Sequence, residues 1–291
     1  ALKAGFHIRI VPVDEDLADA KNLFSASVNL GEEAVESEAV SEAVQPIPEL
    51  EALRSPAVAI PGDACVINHS HRSLLAGVIS TVIFLQPQDR PWLATMGLDR
   101  WEGLLSALTP LYLGVPLIVS ADSQGFAETI QQHQPGYAVE DLSTATAVTR
   151  EDKRAVKKAR GILEAVLLST PGVFNSGDRQ RVAKSFRCSS LTFFGKPETG
   201  TIFASHPQWY LDESVGIPVT NAHVVPSDPR NGAPIQALWE LVESAEVTVK
   251  GPMLMCGYEG GDNEDHYVDG RYRTGVIASS DANGMIYVLP D

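Results

Sequence analysis

Cysteine is scarce: Cys65, Cys188 and Cys256 are the only three in 291 residues. They are too few and too far apart for a disulfide framework or a zinc cluster, which predicts a reducing, cytoplasmic compartment. Positive charge is short as well, with 22 Lys and Arg against 37 Asp and Glu and a net charge of −15. So acidic a balance opposes nucleic acid or an anionic membrane across the whole surface, and neither is expected as a partner. No apolar run reaches the roughly 18 residues that would cross a bilayer. The chain opens Ala1-Leu2-Lys3-Ala4-Gly5 without a Met, a basic stretch or a long apolar stretch. No signal peptide is therefore expected, and the chain reads as a piece of a longer protein. The Gly-x-Ser-x-Gly elbow, the Gly-x-Gly-x-x-Gly turn and the Walker loop are all missing, which removes three common catalytic signatures.

What is there suits a folded core. A hydrophobic share of 44% in 291 residues allows one large domain or two smaller ones. Ile8 to Val13 reads as a β-branched strand, and Gly31 to Val44 as an acidic, low-complexity linker or solvated helix. Cys65-Val66-Ile67 predicts a strand and Ser73 to Leu85 a buried helix. Trp101 to Leu113 predicts a second helix, Pro116 to Val119 a strand, and Phe126 to His133 an amphipathic helix. Arg150 to Leu168 reads as one long helix, Arg179 to Arg187 as a short one, and Ser190 to Phe194 as a strand. Beyond Ser205 the texture turns to strands (Val215 to Val225, Ala245 to Val249, Met285 to Leu289) separated by turn chemistry. The fold class is α/β: a layered subdomain over 1–205 with a largely parallel sheet, then a smaller β-rich subdomain over 206–291.

His69-x-His71 places two imidazoles on one strand face, a metal-pair spacing with no third ligand in sight. Asp262 to His266 could hold a cation or be an acidic loop. Asp281-x-Asn283-Gly284 lacks the downstream Glu of a calcium loop and reads as a hairpin turn. The basic run from Lys153 to Arg160 reads as a solvated helix face rather than a binding site.

Two stretches carry more. Phe194-Gly195-Lys196-Pro197-Glu198-Thr199-Gly200 looks like an aromatic-Gly-x-Thr-Glu nucleotide loop whose Thr is Pro. Tyr272-Arg273-Thr274-Gly275-Val276 looks like a Tyr-Arg-Thr-Gly-Asp ribose turn whose Asp is Val. With Val66 to Leu75, Leu108 to Val119, Ser214 to Val219 and Val249 to Tyr258 in the same chain order, the sequence from about Pro56 resembles the large core of the adenylate-forming superfamily. That superfamily includes acyl-CoA synthetases, fatty acyl-AMP ligases, peptide-synthetase adenylation domains and luciferases.

The resemblance implies ATP-dependent activation of a carboxylic acid, fatty or aryl, as acyl-AMP, with ATP or AMP and Mg as cofactors. It implies nucleotide contacts from Phe194, Gly195, Lys196, Glu198, Thr199 and Arg273, with Glu198 as the Mg²⁺ ligand, Phe194 as the adenine platform and the Trp101 helix lining an acyl pocket. The departures point to impairment. Pro197 has neither hydroxyl nor N–H, and Val276 accepts no hydrogen bond. The place of the phosphate loop, Ala57 to Ala64, has one Gly and no hydroxyl. The chain also stops about where a hinge to a small domain carrying the catalytic Lys would begin, so no catalytic residue is identified. The alternative is a non-catalytic ligase-like binding or scaffolding module, a pseudoenzyme working with other domains of a larger protein.

Overall fold

The computed structural model describes residues 8–9, 56–62, 65–120, 125–170, 172–235, 241–259 and 266–290. The acidic stretch from Gly31 to Val44, residues 10–13 of the first strand expectation and residues 262–265 of the acidic loop lie outside them. Strand β1 (Ile8–Arg9) pairs in parallel with β2 (Pro56–Pro61), which pairs antiparallel with β3 (Val66–Ser70). Residues 57–60 of β2 are buried. Residues 57–61, in the place that the resemblance gave to a phosphate loop, thus belong to a core strand. Four consecutive apolar residues between two prolines belong inside a sheet, with each Pro at a strand end where its missing N–H does least harm.

Helix α1 (His71–Leu85) starts at a capping box in which Ser70 and Ser73 satisfy each other's backbone N–H. It buries Leu74, Val78, Phe84 and Leu85. Then follow β4 (Trp92–Ala94), α2 (Trp101–Leu113), β5 (Leu117–Val119), α3 (Phe126–His133), β6 (Tyr137–Asp141), α4 (Leu142–Glu151), α5 (Lys153–Ala159), β7 (Ala165–Ser169), α6 (Ser176–Phe186) and β8 (Ser189–Lys196). The expected helix from Arg150 to Leu168 is three elements instead. Asp152 ends α4 and caps α5 through its side chain, and Gly161 at φ +74° turns the chain so that Ala165 begins a fully buried strand. A continuous apolar run does not by itself separate a buried strand from a buried helix.

Strands β5, β4, β6, β7 and β8 lie parallel, and β9 (Gly200–Ala204) and β10 (Ile217–Pro218) add antiparallel at the end. Alternation along the strands splits the core in two. Trp92, Tyr137, Val139, Leu167, Leu191 and Phe193 join Ala76, Val78, Phe84 and Leu105 of α1 and α2. Leu93, Ala138, Val166, Leu168 and Phe194 join Phe126, Val148, Val156 and Phe186 of α3 to α6. The result is helices on both faces of a mostly parallel sheet, the layered α/β arrangement expected.

The remaining strands form a separate antiparallel sheet: β11 (His223–Ser227), β12 (Val242–Lys250), β14 (Tyr267–Val268), β15 (Arg271–Ser280) and β16 (Ile286–Val288). Strand β13 (Gly257–Tyr258) leaves that region to pair with β3, joining the β-rich part to the first sheet. The expected strand from Val215 to Val225 is divided into β10 and β11 by a turn closed by Ala222 N–H to Val219 O at 3.1 Å.

Candidate functional site at the β8–β9 turn

Strand β8 carries Phe193 and Phe194 toward opposite helical layers and then turns back as β9. The turn is Lys196-Pro197-Glu198-Thr199, closed by Thr199 N–H to Lys196 O at 3.1 Å. Pro197 occupies its first corner, where a fixed φ near −65° suits a β-turn. Gly195 and Gly200 make the crossing possible. A Cβ at Gly195 would lie 1.9 Å from the Gly200 carbonyl oxygen, and Gly200 itself adopts φ +64°. The Thr199 hydroxyl accepts from Lys196 N–H at 3.1 Å and lies 2.8 Å from the Gly200 carbonyl oxygen, to which it donates. That side chain is buried and serves the turn.

Two more bonds hold the turn from outside. The His69 imidazole donates from Nε2 to Pro197 O at 2.6 Å, and Met255 N–H donates to Glu198 O at 2.8 Å. A carbonyl only accepts, so the His69 proton sits on Nε2 and Nδ1 accepts from the Ser73 hydroxyl at 3.1 Å. Burial pushes the His69 pKa down to about 4, so it is neutral near pH 7. The indole of Trp101 lies against the His69 ring with centroids 4.7 Å apart and is wedged between two glycines. A Cβ at Gly77 or at Gly200 would each come within 2.7 Å of it.

Glu198 is the carboxylate of the turn. Its Oε1 accepts from the Tyr258 hydroxyl at 3.2 Å, and that hydroxyl is 2.9 Å from the Tyr272 hydroxyl. The three form a chain from β15 through β13 to the turn. Burial, together with the nearby Glu198 charge, raises the Tyr258 pKa to about 12 and raises that of Tyr272 as well. Both phenols therefore stay protonated and donate toward the carboxylate.

The structure gathers Gly195, Lys196, Glu198 and Thr199 into one turn and sets the other two sequence candidates apart from it. Phe194 is 2% exposed, its ring stacked on Phe203 at 6.2 Å inside the core. Arg273 forms an ion pair with Glu246 at 2.6 Å and donates to Pro229 O at 2.7 Å. Its neighbour Tyr272 points the other way, toward Glu198, as alternation along β15 requires. Val276 donates its N–H to the Thr274 hydroxyl at 3.0 Å. His69 and His71 do not make a metal pair, because both His69 nitrogens are engaged. Among the described residues no cluster of three or more His, Cys, Asp or Glu could hold a metal ion. Asp281 accepts from Asn283 N–H and Met285 N–H, the hairpin turn expected.

His69 entered the sequence reading only as half of a metal pair, and Trp101 only as the start of a helix. Tyr258 and Tyr272 stood inside family-like runs, with nothing local to show that both reach Glu198.

The groups that remain can offer one hard cation a carboxylate at Glu198, whose Oε2 makes no hydrogen bond among the described residues. The only aromatic ring of the loop is in the core, Thr199 is used by the turn, Pro197 has no donor and Val276 no acceptor.

No family model matches the chain. The architecture matches the unliganded O-succinylbenzoate coenzyme A synthetase of Bacillus subtilis with a TM-score of 0.71, at 18% identity, over 82% of this chain and 50% of that one. ATP-bound MatB from Rhodopseudomonas palustris matches at TM-score 0.71 and 14% identity, over 81% of this chain and 48% of that one. The fold is that of the adenylate-forming enzymes. In sequence the chain is 26% identical over 213 residues to the 2-succinylbenzoate–CoA ligase of Bacillus licheniformis, covering 70% of this chain and 42% of the ligase. It thus spans half or less of the length of these relatives. Within that adenylate-forming fold the comparison includes both an ATP-bound and an AMP-bound structure. Among the described residues no helix is long and apolar enough to cross a membrane.

Proposed function

We propose that the chain is an AMP-binding, acyl-CoA synthetase-like domain. Its ancestral chemistry is ATP-dependent activation of a fatty or aryl acid as acyl-AMP, and that chemistry is impaired here. Residues 1–205 and 206–291 are proposed as two subdomains of one core, acting beside other domains of a larger, cytoplasmic protein. The observation that carries the reading is the β8–β9 turn. Glu198 stands there on the end of a core strand, steadied by two tyrosines, in the fold whose relatives include ATP- and AMP-bound structures.

The same turn supports the impairment. Hydrogen-bonding groups that could meet a nucleotide are satisfied inside the protein, by His69, Met255 and Thr199. This favours a second reading, a non-catalytic ligase-like module that keeps the fold for binding or scaffolding. When Mg²⁺ is bound, it would screen phosphate charge beside Glu198. The chain's own residues fix where that carboxylate sits.

Isothermal titration with ATP and Mg²⁺, alongside AMP, tests the proposal. Binding no tighter than millimolar, with no pyrophosphate release on any carboxylic acid, is the expected result. Micromolar binding abolished by Glu198→Ala, with steady pyrophosphate release, would overturn the impairment and restore an active ligase.

A further inference from the structure

The helical layer formed by α3 to α6 has an outer face unlike the rest of the molecule. Lys153, Arg154, Lys157, Lys158 and Arg160 are all exposed along or just after α5. Arg181, Lys184 and Arg187 are exposed along or just after α6. The two helices are joined where Arg160 Nε donates to Ser185 O at 3.0 Å and Gly161 N–H to Phe186 O at 2.7 Å. The eight cations therefore share one side of the layer.

Among the described residues none of the eight lies within ion-pairing distance of a carboxylate. Of the three nearest in sequence, two are otherwise engaged. Asp152 caps α5 by accepting from Ala155 N–H, Asp178 is paired with Arg150, and Glu151 stands exposed at one end. The described residues hold 19 Asp and Glu and 19 Lys and Arg, so setting the eight aside leaves the rest of them at −8, in a chain of −15. Eight exposed cations on one side of a layer, unpaired among the described residues, are more than the solvated helix face that the sequence suggested.

We propose that the α5–α6 face docks an acidic protein surface, a partner helix or domain rich in Asp and Glu. Two observations select that occupant. The cations are spread over two helices, and all of them are exposed, so no buried pocket is built for a single phosphate. A compact acidic surface meets only the face, because charges beyond roughly 8 Å are screened at physiological salt. A long duplex or a planar anionic membrane instead presents its phosphates also to the other described residues, which carry −8 without the eight cations, and to a chain of −15 in all, and is repelled. The face is also remote from the β8–β9 turn. Strand β8 starts just after α6 and runs seven steps, roughly 23 Å, from Ser189 to Lys196. Docking there leaves the turn accessible.

The test uses the full chain and three probes: poly-L-glutamate of about 50 residues, phosphatidylserine–phosphatidylcholine vesicles and a 20-base-pair DNA duplex. The expected result is salt-sensitive binding of poly-L-glutamate, at least tenfold tighter than to the vesicles or the duplex. It should weaken at least tenfold in a Lys153→Glu, Lys157→Glu, Arg181→Glu, Lys184→Glu variant. Should the charge-reversed variant fold poorly, the same four positions changed to Ala remove the charge on exposed helix sites and should lose the binding too. No binding of poly-L-glutamate, binding unchanged in the variants, or tighter binding of vesicles or DNA would each overturn the proposal. So would salt-sensitive self-association in sedimentation velocity that the variants abolish, which would make a second copy of this chain the occupant.

Discussion

The His69 imidazole and the Pro197 carbonyl, 128 positions apart in the chain, are hydrogen-bonded at 2.6 Å. This bond ties the first sheet to the β8–β9 turn and fixes the protonation state of the ring. An imidazolium would lose the acceptor at Nδ1 that the Ser73 hydroxyl uses, in a site where burial already opposes charge.

The pH dependence follows. The unfolded chain protonates His69 near 6.5 and the folded chain only near 4, so between these values the unfolded state binds more protons. Stability from this residue is fully present above pH 6.5 and falls as pH drops toward 4, by on the order of 3 kcal/mol in all. Urea midpoints between pH 7 and pH 4.5 should fall steeply in the wild type and less steeply in His69→Gln. Equal slopes in the two proteins would remove His69 as the cause.

Trp101 and its two flanking glycines should behave as one unit. Gly77→Ala gains helix propensity but sets a methyl within 2.7 Å of the indole, and Gly200→Ala adds the strain of φ +64°. Each is expected to cost about 1–3 kcal/mol. In a double-mutant cycle, Trp101→Leu should recover part of the Gly77→Ala loss, and strict additivity would show that the methyl never met the ring.

Arg179 is fully buried, yet among the described residues no carboxylate comes closer than Asp212 at 4.0 Å. Its guanidinium donates to the carbonyls of Ser190, Leu211 and Ser214 and to the Ser205 hydroxyl, with the Tyr210 ring 4.2 Å away. Burial lowers its pKa only to about 10, so it remains charged at neutral pH. Lysine lacks the planar fork, and Arg179→Lys should lose about 2 kcal/mol or more in denaturant unfolding, and Arg179→Ala more still. A Lys variant as stable as the wild type would mean that the fork geometry does not matter.

At the other end of the candidate site, Val276→Asp should improve AMP binding by roughly ten- to hundredfold. That corresponds to about 1–3 kcal/mol for a charged acceptor serving ligand hydroxyls. Calorimetry on the variant and wild type reads it directly. An unchanged affinity would place the nucleotide, if it binds at all, away from β15.

Much of the layered fold was legible because α1 and α2 are long apolar helices and the strand leading into Gly195 is continuous. Strand β6 passed unnoticed, since Tyr137 to Asp141 is short and ends in two acids, and only its pairing on both sides makes it a strand. Residues Ile162 to Leu168 look helical in sequence because burial on both faces erases the alternation that marks a strand. In the site, the turn could be seen because its residues are neighbours in sequence. The destinations of Phe194, Arg273, Tyr258 and Tyr272 could not, because packing on distant elements decides them.

Proline at position 197 has a consequence that reaches beyond the ligand. A residue already held at the φ of a turn corner has less freedom to lose on folding, worth about 0.4–1 kcal/mol where the native backbone accepts it. The Lys196–Thr199 turn accepts it without giving up a backbone bond, since the turn is closed by Thr199. At this corner, then, giving up a hydroxyl costs the folded chain nothing and restricts the unfolded ensemble. Restoring threonine there would trade part of the domain's resistance to unfolding for a hydrogen-bonding group.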